Sequence, residues 1–197
     1  MSLTISLTPT QVEERLQKLD IPGRFTPAEL TLYSSIPDIS SKSSLFGFPT
    51  PAENSSLVLS KIKEIVGTDS KRPPSFFEHP WYANEPFMQA PCPPGWHFIS
   101  PDVIPESVGE PLNYARRLAE AGMELPTAIE VVLMLFLHYA GSGEQLLLRK
   151  HTWCADMAGI NSHVTVGAFG RNGLFLSVHP EGFASRGLGI CGKARVQ

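Results

Sequence analysis

Hydrophobic residues recur at helical intervals in three places in the first third of the chain. Residues 9–19 put Val12, Leu16 and Leu19 on one face behind Pro9, which suits a first helical turn. Thr26 with Glu29 three residues on predicts a second, short helix. The pair is a capping box, in which each side chain satisfies a backbone N–H left free at the helix start. The face it would bury holds Leu30 and Tyr33. Residues 55–66 offer Leu57, Val58, Ile62, Ile65 and Val66, with Gly67 as the stop. Between these helices, residues 34–56 are rich in Ser and Pro and show no period.

The pattern is denser in the second half. Residues 96–99 read as a short strand, and 111–121 as a helix with Leu112, Ala115, Leu118 and Ala119 on one face and Gly122 at its end. Thr127 and Glu130 form another capping box, opening a helix to about Tyr139 with Gly141 as terminator. Beyond Glu130 this helix is apolar nearly all round, which predicts the central buried element. Short strands then alternate with glycine turns at 146–148, 163–169, 174–178 and 189–196, and Arg171-Asn172-Gly173 signals a hairpin. The order of elements is that of an α+β protein without internal repeats.

Residues 68–95 hold seven prolines and no regular pattern, yet carry Phe76, Phe77, Trp81, Tyr82, Phe87 and Met88. Large apolar side chains exposed together favour aggregation. The segment is therefore expected to lie extended over the core, with Phe77 and Trp81 packed on the C-terminal half. The division read from these patterns is a helical and proline-rich segment over 1–90 and an α+β domain over 91–197.

Composition narrows the function classes. The chain has 197 residues, 42% of them hydrophobic, enough for one sizeable core. The net charge is −3, and the longest runs of basic residues are the pairs Lys71-Arg72, Arg116-Arg117 and Arg149-Lys150. Nothing here forms a run able to displace counterions from a phosphate backbone, so no nucleic-acid partner is expected. The longest strongly apolar run, 131–137, is far shorter than the ~20 residues of a membrane span. The first ten residues lack the basic and apolar regions of a signal peptide. No membrane partner and a cytoplasmic location are expected. Cys92, Cys154 and Cys191 are too few for a disulfide framework and read as reduced thiols.

The chemistry-bearing residues do not assemble into a known motif. A nucleophilic Cys154 would need His151 or His163 as its base, but it sits in no nucleophile motif and reads as structural. His151, Cys154, Asp156 and His163 are of zinc-ligand type, yet their spacing fits no paired-ligand pattern. His138, inside the apolar helix, reads as a hydrogen-bonded core group. Gly167, Gly170 and Gly173 flank a strand turn and lead into no helix, so they are turn glycines rather than a phosphate cradle. No catalytic residue, metal or cofactor is assigned.

Several short motifs occur in a familiar order. Leu125-Pro126-Thr127-Ala128-Ile129-Glu130 resembles the Leu-Pro-Thr-x-x-Glu helix opening of C-type-lectin-like domains of the sulfatase-modifying (formylglycine-generating) type. Trp153-Cys154-Ala155-Asp156 resembles their Trp-x-Ser/Asp segment, and residues 163–169 with 173–178 resemble the paired strands after it. Leu188-Gly189-Ile190 followed by Ala194-Arg195 resembles their ending. The resemblance covers roughly the last 100 residues. It implies a C-type-lectin-like scaffold, a fold that also serves as the variable display domain of diversity-generating retroelements. The calcium-binding Glu-Pro-Asn and Trp-Asn-Asp segments of sugar-binding lectins are absent, and the enzymes' cysteine pair has no clear counterpart, Cys154 with Cys191 being a remote one.

The function read from this is a non-catalytic display module for a protein or small ligand. Its expected face comprises Trp153, Asp156, Asn161, Arg171, Asn172, His179, Glu181, Phe183 and Arg186, because desolvated aromatic and Arg side chains supply most interface energy. Two alternatives stay open: a thiol- or metal-dependent enzyme using Cys154 with His151 or His163, and a structural subunit of a larger assembly.

Overall fold

A computed structural model describes residues 5–37, 44–52 and 57–196. Its elements run β1 (Ile5–Ser6), α1 (Pro9–Lys18), α2 (Pro27–Leu32), β2 (Phe46–Thr50), α3 (Leu59–Val66), β3 (Gly95–Ile99), α4 (Ala115–Glu120), β4 (Met123–Glu124), α5 (Ala128–Ser142), β5 (His151–Met157), β6 (Ser162–Gly170), β7 (Gly173–Pro180), β8 (Leu188–Gly189) and β9 (Lys193–Ala194). The architecture is α+β. One sheet has the order β1-β2-β3-β9-β4 and the other β7-β6-β5-β8. Among the described residues no helix is long and apolar enough to cross a membrane.

Helix α5 is the hub. Every residue from Ala128 to Leu137 is buried, and the helix packs on α1, on β3 of one sheet and on β5 and β6 of the other. It ends at Gly143, in the left-handed region at φ 75°, rather than at Gly141. Gly141 lies inside the last turn, where the Arg15 guanidinium packs into the space a Cβ would fill. Arg15 Nη1 donates to Leu137 O at 2.9 Å and Lys18 Nζ to Ala140 O at 3.4 Å. The basic end of α1 thus meets the C-terminal end of α5, where Lys18 bonds the Ala140 carbonyl, left without an intrahelical partner, and both cations face the negative end of the helix dipole.

Several sequence expectations are corrected here. The aperiodic stretch 34–56 contains β2, which lies parallel to β1 and antiparallel to β3. All five of its residues are buried, so it has no polar face to produce an alternating pattern. Helix α2 keeps its capping box but buries Glu29, whose carboxylate accepts from the N–H groups of Thr26 and Ala52, while Leu30 is exposed and Tyr33 half-buried. The third helix starts at Leu59, with Leu57 and Val58 buried ahead of it; its expected start at 55–56 lies outside the described residues. Residues 111–121 divide into a tight turn over Leu112–Tyr114 and α4. Residues 146–148 form no strand, since Leu147 adopts φ 52°; β5 begins just after. The expected strand 189–196 splits into β8 and β9, one in each sheet.

The proline-rich segment docks on the core. Phe76 and Tyr82 are fully buried. Leu174 N donates to Ser75 O and Phe77 N to Leu174 O, both at 2.8 Å, so the segment pairs with the outer edge of β7. Phe77 stacks on Phe175 at 4.1 Å, and Trp81 Nε1 donates to Leu176 O at 3.3 Å. Gly173 makes this possible: its φ is 90°, and a Cβ would strike the Phe76 backbone. An edge strand offers unpaired backbone groups to any passing chain, and here the protein's own arm takes them. A single apolar cluster runs from Leu7 through Phe76 and α5 to Cys191, joining residues of 1–90 with those of 91–197.

Candidate functional site

The expected binding residues fall into two groups at opposite ends of the four-stranded sheet. At one end, His163 on β6 is the cross-strand partner of His179 on β7. The His179 ring stacks flat on Phe183 at 4.2 Å, and Trp153 meets His179 edge-on at 6.2 Å. His163 Nε2 lies 3.4 Å from Glu181 Oε1, and its Nδ1 is 3.2 Å from the Cys154 carbonyl. Asn161 turns the chain at φ 54° between β5 and β6. Asp156 Oδ2 accepts from Ala128 N at 2.5 Å, which ties β5 to the first turn of α5. Burial pushes that carboxyl above its ordinary range despite the hydrogen bond.

Trp153, Asp156, Asn161, His179, Glu181 and Phe183 are therefore neighbours. Trp153 is fully buried, so its indole supports the face from beneath instead of forming it. The β6–β7 register runs from Ser162↔Pro180 to Gly170↔Gly173. Arg171 and Asn172 in the far turn lie roughly 25 Å away at about 3.4 Å per strand residue. Arg186 precedes Gly187, whose carbonyl accepts from His151 N at the start of β5, so it too sits toward the far end. The sequence reading missed two members of the near end: Ile160 at the turn tip, 90% exposed, and Met157 beside it, 49% exposed. An apolar side chain between two turn residues, Gly159 and Asn161, was the available signal.

The thiol candidates are deep. Cys154 is fully buried, its Sγ is 3.8 Å from Thr152 O, and burial raises its pKa well above the ordinary thiol value. His163 contacts the Cys154 carbonyl rather than its sulfur. Burial likewise pushes Cys191 up to about 12. Among the described residues no group of three or more His, Cys, Asp or Glu is placed to hold a metal ion.

A second polar assembly lies across α5. Glu130, read from sequence only as a cap, is fully buried. Its Oε2 accepts from Thr127 N at 2.7 Å. The reciprocal Thr127 hydroxyl has the arrangement of a capping box but falls outside hydrogen-bond geometry. Glu130 Oε1 lies 2.9 Å from both His97 Nδ1 and Lys193 Nζ, and Lys193 also reaches Glu124 Oε1 at 3.1 Å. Burial alone would push the Glu130 carboxyl up; hydrogen bonds and charge from His97 and Lys193 outweigh it and hold it at about 2. Glu130, Lys193, Glu124, Thr127 and Met123 line a shallow cleft of about 430 Å³. A lone acid in an apolar helix was the sequence signal, because a buried charge requires partners.

In comparisons with known proteins, no family model matches the chain, and no match is found among curated proteins or solved structures.

Proposed function

We propose that this chain is a non-catalytic binding module whose face is the near end of the four-stranded sheet. The observation that carries the reading is the combination of a rigid base with exposed apolar groups. Phe183, 38% exposed, is stacked on His179 over the buried Trp153, and Ile160 and Met157 project from the adjoining turn. An aromatic ring already held by stacking loses little freedom on binding, and aromatic anchors carry much of the energy of an interface. Glu181, Asn161 and His163 supply polar groups around them.

The scaffold proposed for this face is C-type-lectin-like. In support, the motifs behind that resemblance coincide with structural junctions: Leu125–Glu130 opens α5, Trp153–Asp156 lies in β5, the paired strands are β6 and β7, and Leu188-Gly189 is β8. The thiol-enzyme alternative has less support, since a nucleophile needs an activated and reachable thiolate and Cys154 is neither exposed nor paired through sulfur with His163.

A quantitative affinity capture from the source cell's extract tests the proposal. Wild type is compared with Phe183→Ala/Ile160→Ser and with Arg171→Ala/Asn172→Ala. A component retained by wild type and by the far-end variant, but lost from the near-end variant, supports it. Equal retention by all three contradicts it.

A further inference from the structure

The cleft of about 430 Å³ beside β4 and β9 falls within the ~300–1,000 Å³ range of small-molecule sites. One wall is apolar: Ala115 and Ala119 of α4, Met123 of β4, and Leu125 just after it. This wall is set before any ligand arrives. Met123 Cε fills the space in which a Cβ on Gly192 would stand, and Ala115 and Leu125 pack on the buried cluster around Trp153. The other wall is charged, with Lys193 and Arg195 beside Glu124 and Glu130.

Charges of the two signs balance along this wall, so the hydrogen-bonding capacity left over decides what fits. Glu130 is committed inside the fold, its Oε2 to Thr127 N and its Oε1 to Lys193 Nζ. Glu124 divides its oxygens between Lys193 Nζ at 3.1 Å and Arg195 Nε at 3.5 Å. Among the described residues, the remaining N–H of Lys193 and both terminal amino groups of Arg195 have no protein partner. The Arg195 side chain is 59% exposed, whereas Lys193 is anchored by both carboxylates. Surplus donors thus stand beside an apolar wall. A guanidinium fork takes a carboxylate through paired, charge-assisted hydrogen bonds. We propose that this cleft binds a small amphipathic carboxylate. Its hydrocarbon part lies on Ala115, Ala119, Met123 and Leu125, and its carboxylate accepts from Arg195, with the free N–H of Lys193 alongside. Because Lys193 and Met123 are already fixed, binding costs little side-chain freedom there. The cleft shares no lining residue with the face proposed at the near end of the four-stranded sheet, so the two sites are independent.

Methyl NMR of the full chain tests this, with hexanoate and benzoate as probes, each titrated beside its uncharged amide at pH 7 and constant ionic strength. At least one acid should shift the methyl signals of Met123 and Leu125 saturably, with its amide binding roughly tenfold more weakly or worse. Arg195→Gln removes an exposed side chain, so the melting temperature should hold while the acid loses roughly tenfold in affinity. No saturable shift with either acid, equal binding of acid and amide, or wild-type affinity in Arg195→Gln overturns the proposal. Phe183→Ala/Ile160→Ser should bind the acid as wild type does; loss of binding in that variant would place the site outside the cleft and overturn the proposal as well.

Discussion

Lys193 Nζ lies 2.9 Å from Glu130 Oε1, although 63 positions of sequence separate the two residues. Breaking a buried pair by removing one partner leaves an uncompensated charge, at a cost of about 3–5 kcal/mol. Lys193→Met should lower stability by that order in urea unfolding at pH 7. A loss below about 1 kcal/mol, as for a surface pair, would mean that the contact is not a structural one.

Acid should act through the same carboxylate. Glu130 is held at about 2, below the ~4.3 of a free glutamate. A depressed carboxylate stabilises the fold above its free value, and this contribution fades as pH falls from about 4.5 toward 2. Glu130→Gln, destabilised at neutral pH, should lose less further stability across that window than wild type does. Parallel acid limbs in the two proteins would contradict this.

Leu133 lies in the fully buried run of α5. Leu133→Ala should cost about 2–5 kcal/mol through lost burial and the cavity left behind. The unfolding midpoint measures it directly, and an unchanged midpoint would remove α5 from the core.

The arm over residues 68–95 should resist proteolysis, because Phe76 and Tyr82 are buried and Ser75 to Phe77 pairs with β7. Phe76→Ala should destabilise the protein by about 3–5 kcal/mol. Rapid cleavage between Lys71 and Trp96 that leaves the melting temperature unchanged would show a loose arm instead.

Helices were legible where capping and periodicity acted locally, as at Thr26, Thr127 and the run from Val131 to Leu137. The β6–β7 hairpin was legible from Arg171-Asn172-Gly173. Strand β2 was not, because a strand covered on both faces loses its alternation and Pro49 looks like a loop residue. The two-residue strands β1 and β4 were also hidden, and β8 and β9 were read as one strand, since their pairing depends on partners far along the chain. Turn chemistry singled out Asn161 and Glu181, which lie at the near end of the sheet where the binding face is proposed. Arg171 and Asn172, named with them, lie at the other end of the β6–β7 hairpin, because sequence proximity does not reveal which end of a hairpin a residue occupies. The Glu130 assembly required distant His97 and Lys193, and no local pattern names such partners.

Cys154 should react slowly with a thiol reagent near neutral pH, far below the rate of an exposed cysteine peptide, because burial suppresses its thiolate. Labelling as fast as the free peptide in the folded protein would restore the thiol-enzyme alternative.

The proposed binding face is tested most directly by site-specific photo-crosslinking in the source cell. A photoreactive phenylalanine analogue replaces Phe183 in one protein and Arg171 in another. Position 183, stacked over His179 beside exposed Ile160, should yield a discrete crosslinked species on illumination, and position 171 should not. A species formed equally from both positions, or from 171 alone, would contradict a binding face at the near end of the sheet.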